Sequence, residues 1–91
     1  MFEIYLSNAA LKALKDLDKR IVDKAKKALL TLKTSPLPIK EYDIKRVEGA
    51  EDIYRLRISR YRIVYRIDWG KKEINVIKID KRNEKTYRGL G

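Results

Sequence analysis

After a short alternating start, the hydrophobic period of this 91-residue chain passes from helical to alternating, and that change limits the folds open to it. Between residue 7 and the two prolines at 36 and 38, apolar residues recur at helical spacing. From Ile53 onward they alternate with polar ones. A 3.6-residue period cannot serve as a strand, nor a two-residue period as a helix, so the chain must build its helices ahead of most of its strands. Segregation of that kind belongs to an α+β domain, with helices on one face of a mostly antiparallel sheet.

Phe2, Ile4 and Leu6 alternate with Glu3 and Tyr5, which predicts a short first strand. Ser7 and Asn8 are good N-cap residues, and Leu11, Leu14 and Leu17 follow at helical spacing as far as Asp18. Asp18 caps a second expected helix, whose stripe Ile21, Ala25, Ala28, Leu29 and Leu32 faces a core. Pro36 and Pro38 end it, because neither ring can continue a helix. A connector with a short strand near residues 42–47 leads to strands over 53–58, 61–68 and 73–80. The last is apolar at 74, 76, 77 and 79, so it is either covered on both faces or bulged. The expected layout is two helices on one face of a four- to five-stranded sheet, ordered β-α-α-β-β-β-β, in one domain over residues 1–91.

Composition removes whole classes of chemistry. The chain holds no cysteine and no histidine, which excludes disulfides, thiolate or imidazole metal sites, and any histidine-based acid–base machinery. No apolar run approaches the roughly 20 residues of a bilayer span. The first twenty residues lack the basic and apolar regions of a signal peptide, and a cytoplasmic protein is the simplest expectation. Charged residues make up 40% of a chain without glutamine, a pattern that fits a thermophilic source. The net charge of +10 is lopsided. Residues 1–52 carry 11 Lys/Arg against 9 Asp/Glu, and residues 53–91 carry 12 against 4. A concentration of that size attracts polyanions.

Most of that imbalance sits in YRLRISRYRIVYRI, residues 54–67, which contains five arginines and neither lysine nor an acidic residue. With Ser59-Arg60 as a hairpin loop, alternation puts Tyr54, Leu56, Ile58, Tyr61, Ile63 and Tyr65 on one face. Arg55, Arg57, Arg62 and Arg66 then share the other face with Val64. Arg57 and Arg62 oppose each other directly, a destabilising pairing that a merely solvated face has no need of. Arginine is the planar, bidentate phosphate binder, so the face reads as a phosphate-binding surface. Single-stranded RNA suits it better than a membrane, because the apolar face is needed for the core. The tail after the last strand, from Lys81 to Gly91, is either a frayed end or the source of Arg82 and a tyrosine hydroxyl beside this face.

Val47-Glu48-Gly49, Tyr54-Arg55-Leu56-Arg57, Tyr61-Arg62-Ile63-Val64-Tyr65, Lys81-Arg82 and Tyr87, following two helices, resemble the RelE toxins of prokaryotic toxin–antitoxin pairs. Those toxins lie within the wider RelE/ParE superfamily. The resemblance implies a ribosome-dependent endoribonuclease that cuts mRNA in the ribosomal A site, without metal or cofactor, and is neutralised by an acidic RelB-like antitoxin. It implies that Arg55 and Arg57 lie at the scissile phosphate, where relatives often carry lysine, joined by Arg62, Arg82 and Tyr87. Arg60, Arg66, Lys81 and Lys85 are further RNA-binding candidates. A guanidinium stays protonated and cannot readily act as base, which leaves Tyr87 for proton transfer. Glu48 is either solvent-facing or an auxiliary base. Two other functions fit the same residues: a ParE-like, non-nucleolytic toxin blocking a protein target such as DNA gyrase, and a plain RNA-binding module.

Overall fold

The computed structural model describes residues 1–81. Strand β1 (Glu3–Leu6) leads into helices α1 (Asn8–Asp16) and α2 (Lys19–Thr34), followed by β2 (Ile44–Arg46), β3 (Ile53–Ile58), β4 (Tyr61–Asp68) and β5 (Glu73–Lys81). The five strands form one sheet in the order β1-β5-β4-β3-β2. β1 runs parallel to β5, and the other three pairings are antiparallel. This is the expected architecture, with the strand count settled at five.

Both helix starts are capped as the sequence predicts. The Ser7 hydroxyl accepts from the Ala10 amide at 3.0 Å, and the Asp18 carboxylate accepts from the Arg20 amide at 3.0 Å. Ser7 also ties α1 to the sheet. Its hydroxyl donates to the Ile77 carbonyl at 2.6 Å and its amide to the Val76 carbonyl at 3.0 Å. That tether rolls α1 so that Ala10, rather than Leu11, sits closest to the sheet. Ala10 is fully buried, Leu14 and Leu17 are half-buried, and Leu11 stays exposed at the rim.

One core lies between the helices and the sheet. Ala25, Ala28 and Leu32 of α2 meet Leu56, Ile63, Tyr65, Ile67, Ile74 and Val76 from the three central strands. Tyr65 is completely buried, and its hydroxyl donates to the Pro36 carbonyl at 2.8 Å, fastening the proline connector over the sheet. Burial, and secondarily the neighbouring Tyr54, pushes the Tyr65 phenol well above its usual range. It therefore stays a proton donor in the core and takes no part in surface chemistry.

Candidate phosphate-binding face

The two-residue loop Ser59-Arg60 closes the β3–β4 hairpin, with Ser59 at φ 54 in the left-handed region that such tight turns use. The register is Ile58 with Tyr61, Arg57 with Arg62, Leu56 with Ile63, Arg55 with Val64 and Tyr54 with Tyr65. The sequence expectation for the hairpin is met pair by pair. Leu56, Ile58, Ile63 and Tyr65 are buried beneath the helices, while Arg57 and Arg66 are exposed and Arg55 and Arg62 half-buried on the other side.

The Arg57 amide donates outward to the Asp43 carbonyl at 3.0 Å. A strand residue points its N–H and C=O to the same side, so Arg57 and Arg62 form a non-hydrogen-bonded pair across β3 and β4. Pairs of that type bring Cα atoms to about 4.5 Å, the closest approach an antiparallel ladder offers. Among the described residues no carboxylate lies within ion-pairing distance of Arg55, Arg57, Arg62 or Arg66. The Arg57 Nε–H reaches the Ser59 carbonyl at 3.4 Å, and the Arg62 Nε is buried without a hydrogen-bond partner. A buried donor left unmatched is costly, and an anion's oxygen seated on this face would match it.

Three residues that strand alternation did not place here join the face. Lys45 of β2 stands opposite Arg55. On β5 the register shifts between the partners of Val64 and Tyr65: Val64 faces Lys78 and Tyr65 faces Val76, leaving Ile77 as the extra residue of a bulge. Before the bulge, Ile74 and Val76 point to the core. After it the phase inverts, so Ile79 is buried while Lys78 and Asp80 turn to the arginine side. Asp80 is the register partner of Arg62, and its Oδ2 lies 3.1 Å from the Lys78 Nζ. The arginine stretch holds no acidic residue of its own, but the next strand supplies one.

The same bulge sets the side of the sheet on which Lys81 lies. Unbroken alternation would put it on the arginine face. Instead it pairs with Tyr61 and shares the helix-side parity, exposed at the sheet's end. Arg60 is exposed in the hairpin loop, next to the Arg57–Arg62 row. Arg66 lies on the arginine face one residue pair beyond Val64, beside Asn75. Glu48 is exposed in the β2–β3 turn, beyond Ile53, which itself lies about 13 Å along β3 from Arg57 at roughly 3.3 Å per residue. Arg82, Lys85 and Tyr87 lie outside the described residues.

With this geometry in place, known proteins supply the family. The model of the ParE toxin of type II toxin–antitoxin systems, parDE, matches residues 4–86. The putative toxin RelE1 of Methanocaldococcus jannaschii is 38% identical over 81 residues, spanning 89% of this chain and 90% of that protein. The chain belongs to the RelE/ParE toxins. Among solved structures, a chain of the archaeal RelE–RelB complex from Pyrococcus horikoshii superposes with a TM-score of 0.83 at 27% identity, covering 91% of this chain and 97% of its own. The isolated RelE toxin of E. coli gives 0.76 at 26% identity, covering 99% and 96%. The arginine face is thus the open sheet surface of a RelE-type toxin, and no helix among its described residues is long and apolar enough to cross a membrane.

Proposed function

We propose that this toxin is a ribosome-dependent mRNA endoribonuclease and that its arginine face holds the scissile phosphate. The observation that carries the reading is the close Arg57–Arg62 pair with its unmatched Arg62 Nε. Two guanidinium groups forced together across a ladder are unfavourable alone and favourable around an anion. The reaction is attack of a ribose 2′-oxygen on the adjacent 3′-phosphate, which leaves a 2′,3′-cyclic phosphate and a free 5′-hydroxyl. The five-coordinate phosphorus gains negative charge, and preplaced cations stabilise that charge more than they stabilise the starting phosphate. Arg55, Arg57 and Arg62 take this role, with Arg82 assigned to it, and Tyr87 to proton transfer, by their place in the RelE motif. Arg60, Arg66 and Lys85 hold flanking phosphates, and Lys81 reaches them only around the end of the sheet.

The partners in this reading are the ribosome and its A-site message, so the protein works in the cytoplasm. An acidic RelB-like antitoxin is the neutralising partner, since a surface this basic attracts an acidic chain; relatives from M. jannaschii and P. horikoshii are known as RelE–RelB complexes. Cell-free translation tests the function. Wild-type protein should stop synthesis, and the combined Arg55→Ala, Arg57→Ala and Arg62→Ala variant should lose most of that effect. Equal inhibition by both would remove the arginine face from the mechanism.

The ParE name of the matching family model favours a second reading, a non-nucleolytic block of a protein target such as gyrase, because a shared fold does not fix function. Inhibited supercoiling with intact message would establish it instead.

A further inference from the structure

Resting on the endoribonuclease reading, we propose that Asp80 is the general base that takes the 2′-hydroxyl proton. The reaction needs a proton acceptor within hydrogen-bond reach of the attacking oxygen, and a guanidinium cannot serve. Tyr65 faces the core with its hydroxyl committed to Pro36. Glu48 stands in the turn at the other end of β3. Asp80, by contrast, is in the same row as the arginine pair, as Arg57, Arg62 and Asp80 lie side by side on β3, β4 and β5.

The geometry of that row is specific. Because Arg62 makes a non-hydrogen-bonded pair with Arg57, its amide and carbonyl point to β5. Arg62 and Asp80 are therefore the wider, hydrogen-bonded kind of pair, with Cα atoms about 5.5 Å apart. A phosphate seated between Arg57 and Arg62 has Asp80 as the next residue along the row, one strand spacing of about 4.8 Å away. The carboxylate is accessible, with a side-chain exposure of 41%. The charged groups facing it among the described residues are Lys78 on its own strand and Arg62 on β4, with Arg57 beyond. β1 ends at Leu6 opposite Val76 and brings none. The Lys78–Asp80 ion pair contributes little to stability, since both partners are well exposed. The Asp80 carboxylate is engaged by Lys78 and makes no ion pair with Arg62, so that guanidinium stays open to phosphate.

In the step itself, an Asp80 oxygen accepts the 2′-hydroxyl proton as the 2′-oxygen bonds to phosphorus. The bond from phosphorus to the 5′-oxygen breaks, its electron pair stays on that oxygen, and water supplies the proton that completes the 5′-hydroxyl. Asp80 then returns its proton to solvent, so no oxidant, metal or co-reactant is consumed.

Single-turnover cleavage of a defined message on purified ribosomes, followed across pH with the full chain, tests the assignment. Asp80→Asn should cleave about 10²–10⁴-fold more slowly, the range for loss of a general base. The decline in rate on the acid side of the profile should vanish with it, and Asp80→Glu should restore both in part. Binding of a 2′-deoxy message, which cannot react, should be equal or tighter in Asp80→Asn, showing that the variant is folded. Asp80→Asn within threefold of wild type would overturn the assignment, as would a slower Asp80→Asn that keeps the acid-side decline, since that pattern marks a positioning residue. If wild-type protein leaves ribosome-bound message intact, the endoribonuclease reading fails and takes this one with it.

Discussion

Replacing Arg57 by threonine should make this protein more stable and less able to bind RNA. Arg57 and Arg62 are register partners in a non-hydrogen-bonded pair, so their backbones approach to about 4.5 Å. For two unit charges about 6 Å apart in water, Coulomb's law gives a repulsion of about 0.7 kcal/mol, within the range of about 0.2–1 kcal/mol for cross-strand pairs. Threonine removes the charge and keeps a β-branched strand residue. The substitution gives up only the long 3.4 Å contact to the Ser59 carbonyl on an exposed surface. The expected gain at low salt is about 0.5–1 kcal/mol, or a rise in Tm of about 2–8 °C for a domain of this size. In 1 M salt the Debye length falls to about 3 Å, and the gain should mostly disappear. The same variant should lose one phosphate contact, lowering the salt dependence of single-stranded RNA binding by about 0.7 in log–log slope. Thermal melts at two salt concentrations and filter binding at several would measure these effects. A loss of stability, or a gain untouched by salt, would refute the claim that this pair is held against electrostatic repulsion.

Two further expectations concern what holds the face in position. Ser7→Ala removes the α1 cap and the bond to the Ile77 carbonyl at the β5 bulge, and should lower unfolding free energy by about 1–2 kcal/mol in urea titration. Tyr65→Phe should cost about 1 kcal/mol at neutral pH through the lost bond to Pro36. Tyr65 has its phenol pKa raised in the folded state, so the unfolded chain sheds that proton first, near its ordinary value of about 10. Stability from this group is intact below that pH and falls above it, by up to about 1.4 kcal/mol per pH unit. Tyr65→Phe should remove this extra alkaline decline when the two proteins are titrated in parallel.

The hairpin was legible in the sequence because three local rules agreed on it. Strict alternation separated the tyrosines from the arginines, a two-residue loop fixed the register, and the apolar side matched the helical stripe of α2. Ser7 and Asp18 likewise announced both helix starts. What could not be read was the phase of β5. Apolar residues at 74, 76, 77 and 79 fit a strand covered on both faces as well as a bulged one, and the choice depends on Ser7 reaching the Ile77 carbonyl from another element. One inserted residue then exchanged the faces of every position that follows. Lys78 and Asp80 moved to the arginine side and Lys81 moved off it. The candidate base was invisible for that reason alone. The signal that could have found it was the three-residue spacing of Val76 and Ile79, which demands a phase break if both are to reach the core. The exposed Leu11 has a similar origin, since helical spacing defines a stripe but not its roll against a sheet.

The chemistry of the RNA ends tests most directly whether the arginine face cuts message. Purified wild-type protein would be added to a reconstituted translation reaction on a defined message, and the 3′ and 5′ termini of every fragment identified, with and without ribosomes. Cuts are expected within the ribosome-bound codon only when ribosomes are present, each leaving a 2′,3′-cyclic phosphate and a 5′-hydroxyl. The Arg57→Ala, Arg62→Ala double variant should give few or none. Translation arrest with a wholly intact message, or fragments ending in 3′-hydroxyl and 5′-phosphate, would contradict this chemistry.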